Sequence, residues 1–129
     1  MYHLLLIDAN SFFSATFATL LRRAGYRVSL AADLASGKRL HRKDPADLVL
    51  LGVYLKDGDG KAYLDALQDT FANTRTLGML SDRERGELVY PLLQRALGKG
   101  RVFHKPFPTE DILDAICAEL LPQPCEARS

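Results

Sequence analysis

Three side chains in this sequence are of the kinds that handle phosphoryl groups or metal-bound anions: the carboxylate of Asp8, the hydroxyl of Ser81 and the ammonium of Lys105. Ionised donors and acceptors make the strongest hydrogen bonds, and carboxylate oxygens are what a hard cation such as Mg²⁺ takes. Each of the three follows a short apolar run. Leu4-Leu5-Leu6-Ile7 precedes Asp8, Leu77-Gly78-Met79-Leu80 precedes Ser81, and Val102-Phe103-His104 precedes Lys105. A fourth run, Leu48 to Leu51, leads into Gly52 and then a turn rich in acid and glycine, Asp57-Gly58-Asp59-Gly60. Where that run would deliver its own side chain, there is none.

Short apolar runs bounded by turn residues are how strands buried on both faces read, and such strands belong inside a parallel sheet. Tyr2–Asp8 reads as the first strand, Tyr26–Ala31 as a shorter edge strand of alternating polarity, Asp47–Gly52 as the third, Thr76–Leu80 as the fourth and Arg101–His104 as the fifth. Helical spacing fills the intervals. Asn10 or Ser11 caps a first helix to about Ala24, with Phe12, Phe13, Phe17, Leu20 and Leu21 as its inner face and Gly25 as its stop. Asp33 or Ser36 opens a second helix, which carries Lys38, Arg39, His41, Arg42 and Lys43 and is closed by Pro45. Tyr63, Leu64, Leu67 and Phe71 mark a third. Gly86 and Pro91 disfavour a continuous fourth helix from Arg83, so a regular one is expected only from Tyr90 or Pro91 to Leu97. Thr109 caps the last, with Ile112, Leu113, Ile116, Cys117, Leu120 and Leu121 as its stripe.

Strand and helix alternate five times, and parallel strands need right-handed crossovers. The expected fold is α/β: a flavodoxin-like, doubly wound (βα)5 three-layer sandwich with parallel strand order 2-1-3-4-5. In that order strands one, three, four and five are neighbours, so Asp8, Gly52, Ser81 and Lys105 should meet at the carboxyl edge of the sheet, where ligands of such sheets bind.

The 129 residues suit one domain, over residues 1–121, with a loose tail at 122–129. A net charge of +1 sets up no global field for nucleic acid or anionic lipid. Cys117 and Cys125 are too few for a disulfide framework, and no apolar run reaches the ~20 residues that span a bilayer. A soluble cytoplasmic chain is expected.

Taken in order, Leu5-Leu6-Ile7-Asp8, Asp47-Leu48-Val49-Leu50-Leu51 with Asp59-Gly60 at a set distance, Leu80-Ser81, and Lys105-Pro106-Phe107 resemble the receiver domain of bacterial two-component response regulators, over about Leu4 to Leu121. In that family position 52 is an aspartate that accepts a phosphoryl group from a histidine kinase. Acids at positions 8 and 9 hold Mg²⁺ with it, and the hydroxyl at 81 and lysine at 105 contact the phosphoryl oxygens. The chain keeps Asp8, Ser81 and Lys105. It departs at Ala9 and Gly52, at Lys56, where proline is usual, and at Val102, where many members place an aromatic residue; Phe103, one position on, should face the other way.

Phosphoryl transfer to a carboxylate needs a carboxylate in line with the donor, and glycine offers none. Asp8, as the only retained acid, makes a poor Mg²⁺ site, so no metal or other cofactor is expected. Lys105, without its usual acid partner, should pair with Asp8 across the gap. The resulting expectation is an atypical, non-enzymatic receiver acting through protein contacts in phosphorelay signal transduction. As the resemblance implies, it would present the fourth helix, fifth strand and fifth helix to a partner protein or to a second copy as a homodimer. No DNA-binding segment is expected after Leu121, and no membrane partner. Two alternatives stand beside it. Asp57 or Asp59 would be a displaced phosphoacceptor, though Asp-Gly pairs are also ordinary turn formers. Alternatively, the space at Gly52 would bind a small anion; against dinucleotide or flavin, Asp8-Ala9-Asn10-Ser11 contains no glycine loop for phosphate. Lys38 to Lys43 reads as a solvated basic face. His3, His41 and His104 lack metal-ligand spacing and take no catalytic role.

Overall fold

The computed structural model describes residues 1–54, 60–81, 90–98 and 100–120, and for Ser81 and Tyr90 the backbone only. The elements are β1 (His3–Ile7), α1 (Ser11–Arg23), β2 (Arg27–Ala31), α2 (Leu34–Lys43), β3 (Leu48–Gly52), α3 (Gly60–Gln68), β4 (Arg75–Ser81), α4 (Tyr90–Leu97), β5 (Val102–Lys105) and α5 (Thr109–Leu120). The strands form one sheet in the order β2-β1-β3-β4-β5, every pair parallel. This is the flavodoxin-like order expected from the sequence.

The apolar runs explain the layers. Successive side chains of a strand point to opposite faces. Leu4, Leu6, Leu48, Leu50, Leu77 and Met79 therefore pack on one side against Phe17, Leu21, Ile112 and Ile116 of α1 and α5. Leu5, Ile7, Val49, Leu51 and Leu80 pack on the other, against Ala66 and Leu93 of α3 and α4. All five residues of β1 and of β3 are buried. Each fully buried Leu or Ile contributes roughly 1.5–3 kcal/mol relative to exposure, which anchors the two central strands. Edge strand β2 shows the mixed burial its alternation predicts.

Local signals set the ends of the helices. The Asn10 side chain accepts from Phe13 N and caps α1, and Gly25 takes φ +102° just past its end. Asp33 caps α2 by accepting from Ser36 N at 2.7 Å. The N–H of Ser36 and its hydroxyl hold the Asp33 carboxyl below the usual carboxylate range. Gly37 lets α2 lie on β1, since a Cβ there would run into the Ile7 side chain.

Four expectations need correction. Phe12 is 81 % exposed and Leu20 also lies outside the buried stripe of α1, which is Ser14, Phe17, Ala18 and Leu21; Phe12 lies about 200° round the helix from Ser14. His41 is buried rather than part of a solvated basic face; its ring nitrogens meet Ala46 N and Thr74 Oγ1. Phe71 is buried but belongs to the turn after α3, not to the helix. β5 is displaced by one residue and ends at Lys105 itself. Val102 and Phe103 do pack on opposite faces, and α4 is described over Tyr90–Leu97. The irregular segment expected from Arg83, the Asp57–Asp59 turn, Leu121 and the 122–129 tail lie outside the described residues.

Candidate functional site

At the carboxyl edge, β1 runs straight into Asp8, β3 ends at Gly52 and β5 at Lys105. Register then does the positioning. Ile7 pairs with Leu51, Gly52 with Met79, and Ser81 with Lys105. The structure thus brings Asp8, Gly52 and Lys105 together, with the Ser81 backbone alongside.

The Asp8 side chain is fully buried, and a buried carboxylate is tolerated only when paired and hydrogen-bonded. Lys105 Nζ donates to Asp8 Oδ2 at 2.6 Å, the pairing expected across the gap. Asp8 Oδ1 accepts from the Asn10 backbone N–H at 2.9 Å and from the Tyr54 hydroxyl at 2.8 Å. Lys105 Nζ also donates to Tyr54 Oη at 3.1 Å and lies 4.2 Å from the centre of the Phe13 ring, a cation–π distance. Acid, ammonium and phenol close on one another. Breaking such a pair from one side leaves an uncompensated buried charge, which typically costs about 3–5 kcal/mol.

Sequence reasoning missed Tyr54. A signal for it existed: Tyr54 stands two residues after Gly52, and alternate residues of extended chain share a face. Its side chain therefore rises on the side where a residue 52 side chain would stand. Tyr63 holds it there, the Tyr54 N–H donating to Tyr63 Oη at 3.2 Å and the Tyr63 hydroxyl donating to Tyr54 O at 3.4 Å.

Gly52 leaves no room for a side chain. A Cβ built on it would lie 2.5 Å from Asp8 Oδ2, 2.8 Å from the Ile7 carbonyl oxygen and 2.9 Å from Asp8 Cγ. The Asp8–Lys105 pair has settled into space that any side chain at 52 would need. Ala9 is exposed and presents only a methyl group. These residues do not fit Mg²⁺: one acid remains, and both its oxygens already accept hydrogen bonds. Among the described residues no group of three or more His, Cys, Asp or Glu could hold a metal ion. None of the described helices is long and apolar enough to cross a membrane.

Comparisons with known proteins bear on the fold and the family. The family model for "Response regulator receiver domain" matches residues 4–117. The photosynthetic apparatus regulatory protein RegA of Rhodobacter capsulatus is 24% identical over 125 residues; the alignment covers 95% of this chain and 66% of RegA, so the chain spans just under two thirds of that relative. Among solved structures, a CheY-like receiver from Methanospirillum hungatei superposes with a TM-score of 0.76 at 20% identity, covering 93% of this chain and 94% of that one. A Burkholderia pseudomallei response regulator solved with a phosphorylated aspartic acid superposes at 0.71 with 23% identity, covering 99% and 71% respectively. With the family match running from β1 into α5, and with Asp8 and Lys105 meeting at the sheet edge, the chain belongs to the response regulator receiver domain family of two-component signalling.

Proposed function

We propose that this receiver domain works without phosphorylation, as a protein-interaction module in two-component signalling. The observation that carries the reading is Gly52, which stands where the family's phosphoacceptor stands, in space closed by Asp8. Support comes from the two remaining charged groups, which satisfy each other and Tyr54 instead of awaiting a phosphoryl group and a metal. On this reading Mg²⁺ binds weakly or not at all, and the chain is not an enzyme. Its output is a surface, and the face of α4, β5 and α5 is the one we favour, toward a partner protein or a second copy. That face carries Leu92, half exposed, exposed Arg95, and an ion pair to Glu119 of α5 from Arg101, the residue just before β5.

Incubation with acetyl phosphate and Mg²⁺, followed by intact-mass measurement, tests the reading. The mass should stay that of the unmodified chain. A stoichiometric phosphoryl adduct would refute it and direct attention to the displaced acids Asp57 and Asp59.

A further inference from the structure

Parallel α/β sheets take ligands where the strand order reverses, outside the carboxyl ends of the strands. Here the reversal lies between β1 and β3, with β2 wound to one side and β4 and β5 to the other. A crevice of about 500 Å³ opens there, between the starts of α2 and α3. That volume is in the range of small-molecule sites. Ala9 and Gly52, the two positions where receivers of this family carry acids, both line it. Ile7, Ala35 and Ala62 add apolar lining, and Tyr54 and Tyr63 border it as well. Arg39 stands at the rim.

We propose that this crevice binds a flat aromatic monocarboxylic acid. Small side chains let a ring lie close to the backbone, and tyrosine rings favour stacked or edge contacts with another aromatic group. Arg39 Nη2 donates to Ser36 Oγ at 3.1 Å, which steadies a guanidinium whose fork matches a carboxylate. The rim also sets the charge. Asp33 lies beside Arg39 and stays ionised, because the Ser36 N–H holds its carboxyl below the ordinary range. With Asp33 beside it the rim is close to neutral overall, so a doubly charged phosphate ester is disfavoured and a single carboxylate is held through the Arg39 fork alone. Tyr54 joins this crevice to the Asp8–Lys105 pair, since its ring lines the one and its hydroxyl holds the other.

The site does not depend on whether the chain accepts a phosphoryl group, so the mass measurement above and this experiment fail separately. The probes are 2-naphthoate, its uncharged isostere 2-naphthamide, and acetate, followed by saturation-transfer NMR and calorimetric titration on the full chain. Naphthoate should bind with a sub-millimolar Kd, at least about tenfold tighter than the amide, and acetate should not bind, as an Arg–carboxylate contact on an aromatic body predicts. Arg39→Gln should abolish the preference for acid over amide. Ala35→Phe, at an exposed helical position, should fill the crevice and remove binding of both, with circular dichroism checking that the variant is folded. No saturation by naphthoate at millimolar concentration would overturn the proposal. So would equal affinity for acid and amide, or binding unchanged in the folded Ala35→Phe variant.

Discussion

At the scale of single residues, the site is defined by what cannot be added to it. An alanine at position 52 would gain some of the rigidity that glycine lacks in a strand, about 0.5–1 kcal/mol. Against this, its Cβ meets a backbone oxygen at 2.8 Å and a charged one at 2.5 Å, and the backbone oxygen cannot rotate away. Overpacking of this kind costs about 1–3 kcal/mol, so Gly52→Ala should be destabilised overall, with a lower urea midpoint at unchanged m-value. An equally stable Gly52→Ala would show that Asp8 gives way and that the pocket is less closed than its geometry indicates. The same crowding bears on repair by mutation. Gly52→Asp sets a second carboxylate against a buried one, so an acid at 52 has to displace the Lys105–Asp8 bond to find room.

At the scale of elements, the chain places Asp8 through a cap. Asn10 accepts from Phe13 N at 3.0 Å to start α1, and its own backbone N–H donates to Asp8 Oδ1. Asn10→Ala removes the side-chain cap and leaves the backbone donor. It should therefore cost about 1 kcal/mol of unfolding free energy while the Asp8–Lys105 pair survives, which chemical denaturation and the Lys105 side-chain NMR signals would check. The Asn10 cap, the Gly25 stop and the Asp33 cap were all legible in the sequence, because each is a local event within one turn of helix. Phe12 and His41 were not. Whether a residue near the margin of an amphipathic stripe is covered depends on the neighbour packed over it, and local spacing does not contain that neighbour.

At the scale of the whole molecule, a buried histidine at the edge opposite the site contributes acid sensitivity. His41 Nδ1 accepts the Ala46 N–H at 3.1 Å, so the neutral ring carries its proton on Nε2, which meets Thr74 Oγ1 at 3.1 Å. Burial first, and the nearby His3 second, push the His41 pKa below its usual 6.5. The folded state then binds fewer protons than the unfolded state just below that value. This contribution to stability is complete above pH 6.5 and is lost as the pH falls through the depressed folded pKa. Thermal midpoints should decline from about pH 7.5 to about pH 5, and His41→Gln should flatten that part of the profile. An identical slope in the variant would assign the decline to other groups.

The sequence by itself determined the architecture. Five short apolar runs, separated by helical patterns with their caps and stops, admit few arrangements, because buried parallel strands must be joined by right-handed crossovers. It also determined that position 52 offers no nucleophile, and that Asp8 and Lys105 lie at the same carboxyl edge of the sheet, on strands with β3 and β4 between them. Only the tertiary structure decided how the vacancy is used. Asp8 and Lys105 are separated by nearly the whole chain, and sheet register brings them to 2.6 Å. The tyrosine that joins them comes from the residue two beyond Gly52, held in turn by Tyr63 of α3. A buried carboxylate must be satisfied by whatever donors the fold brings within reach, and which donors those are is a property of packing across the sheet rather than of spacing along the chain.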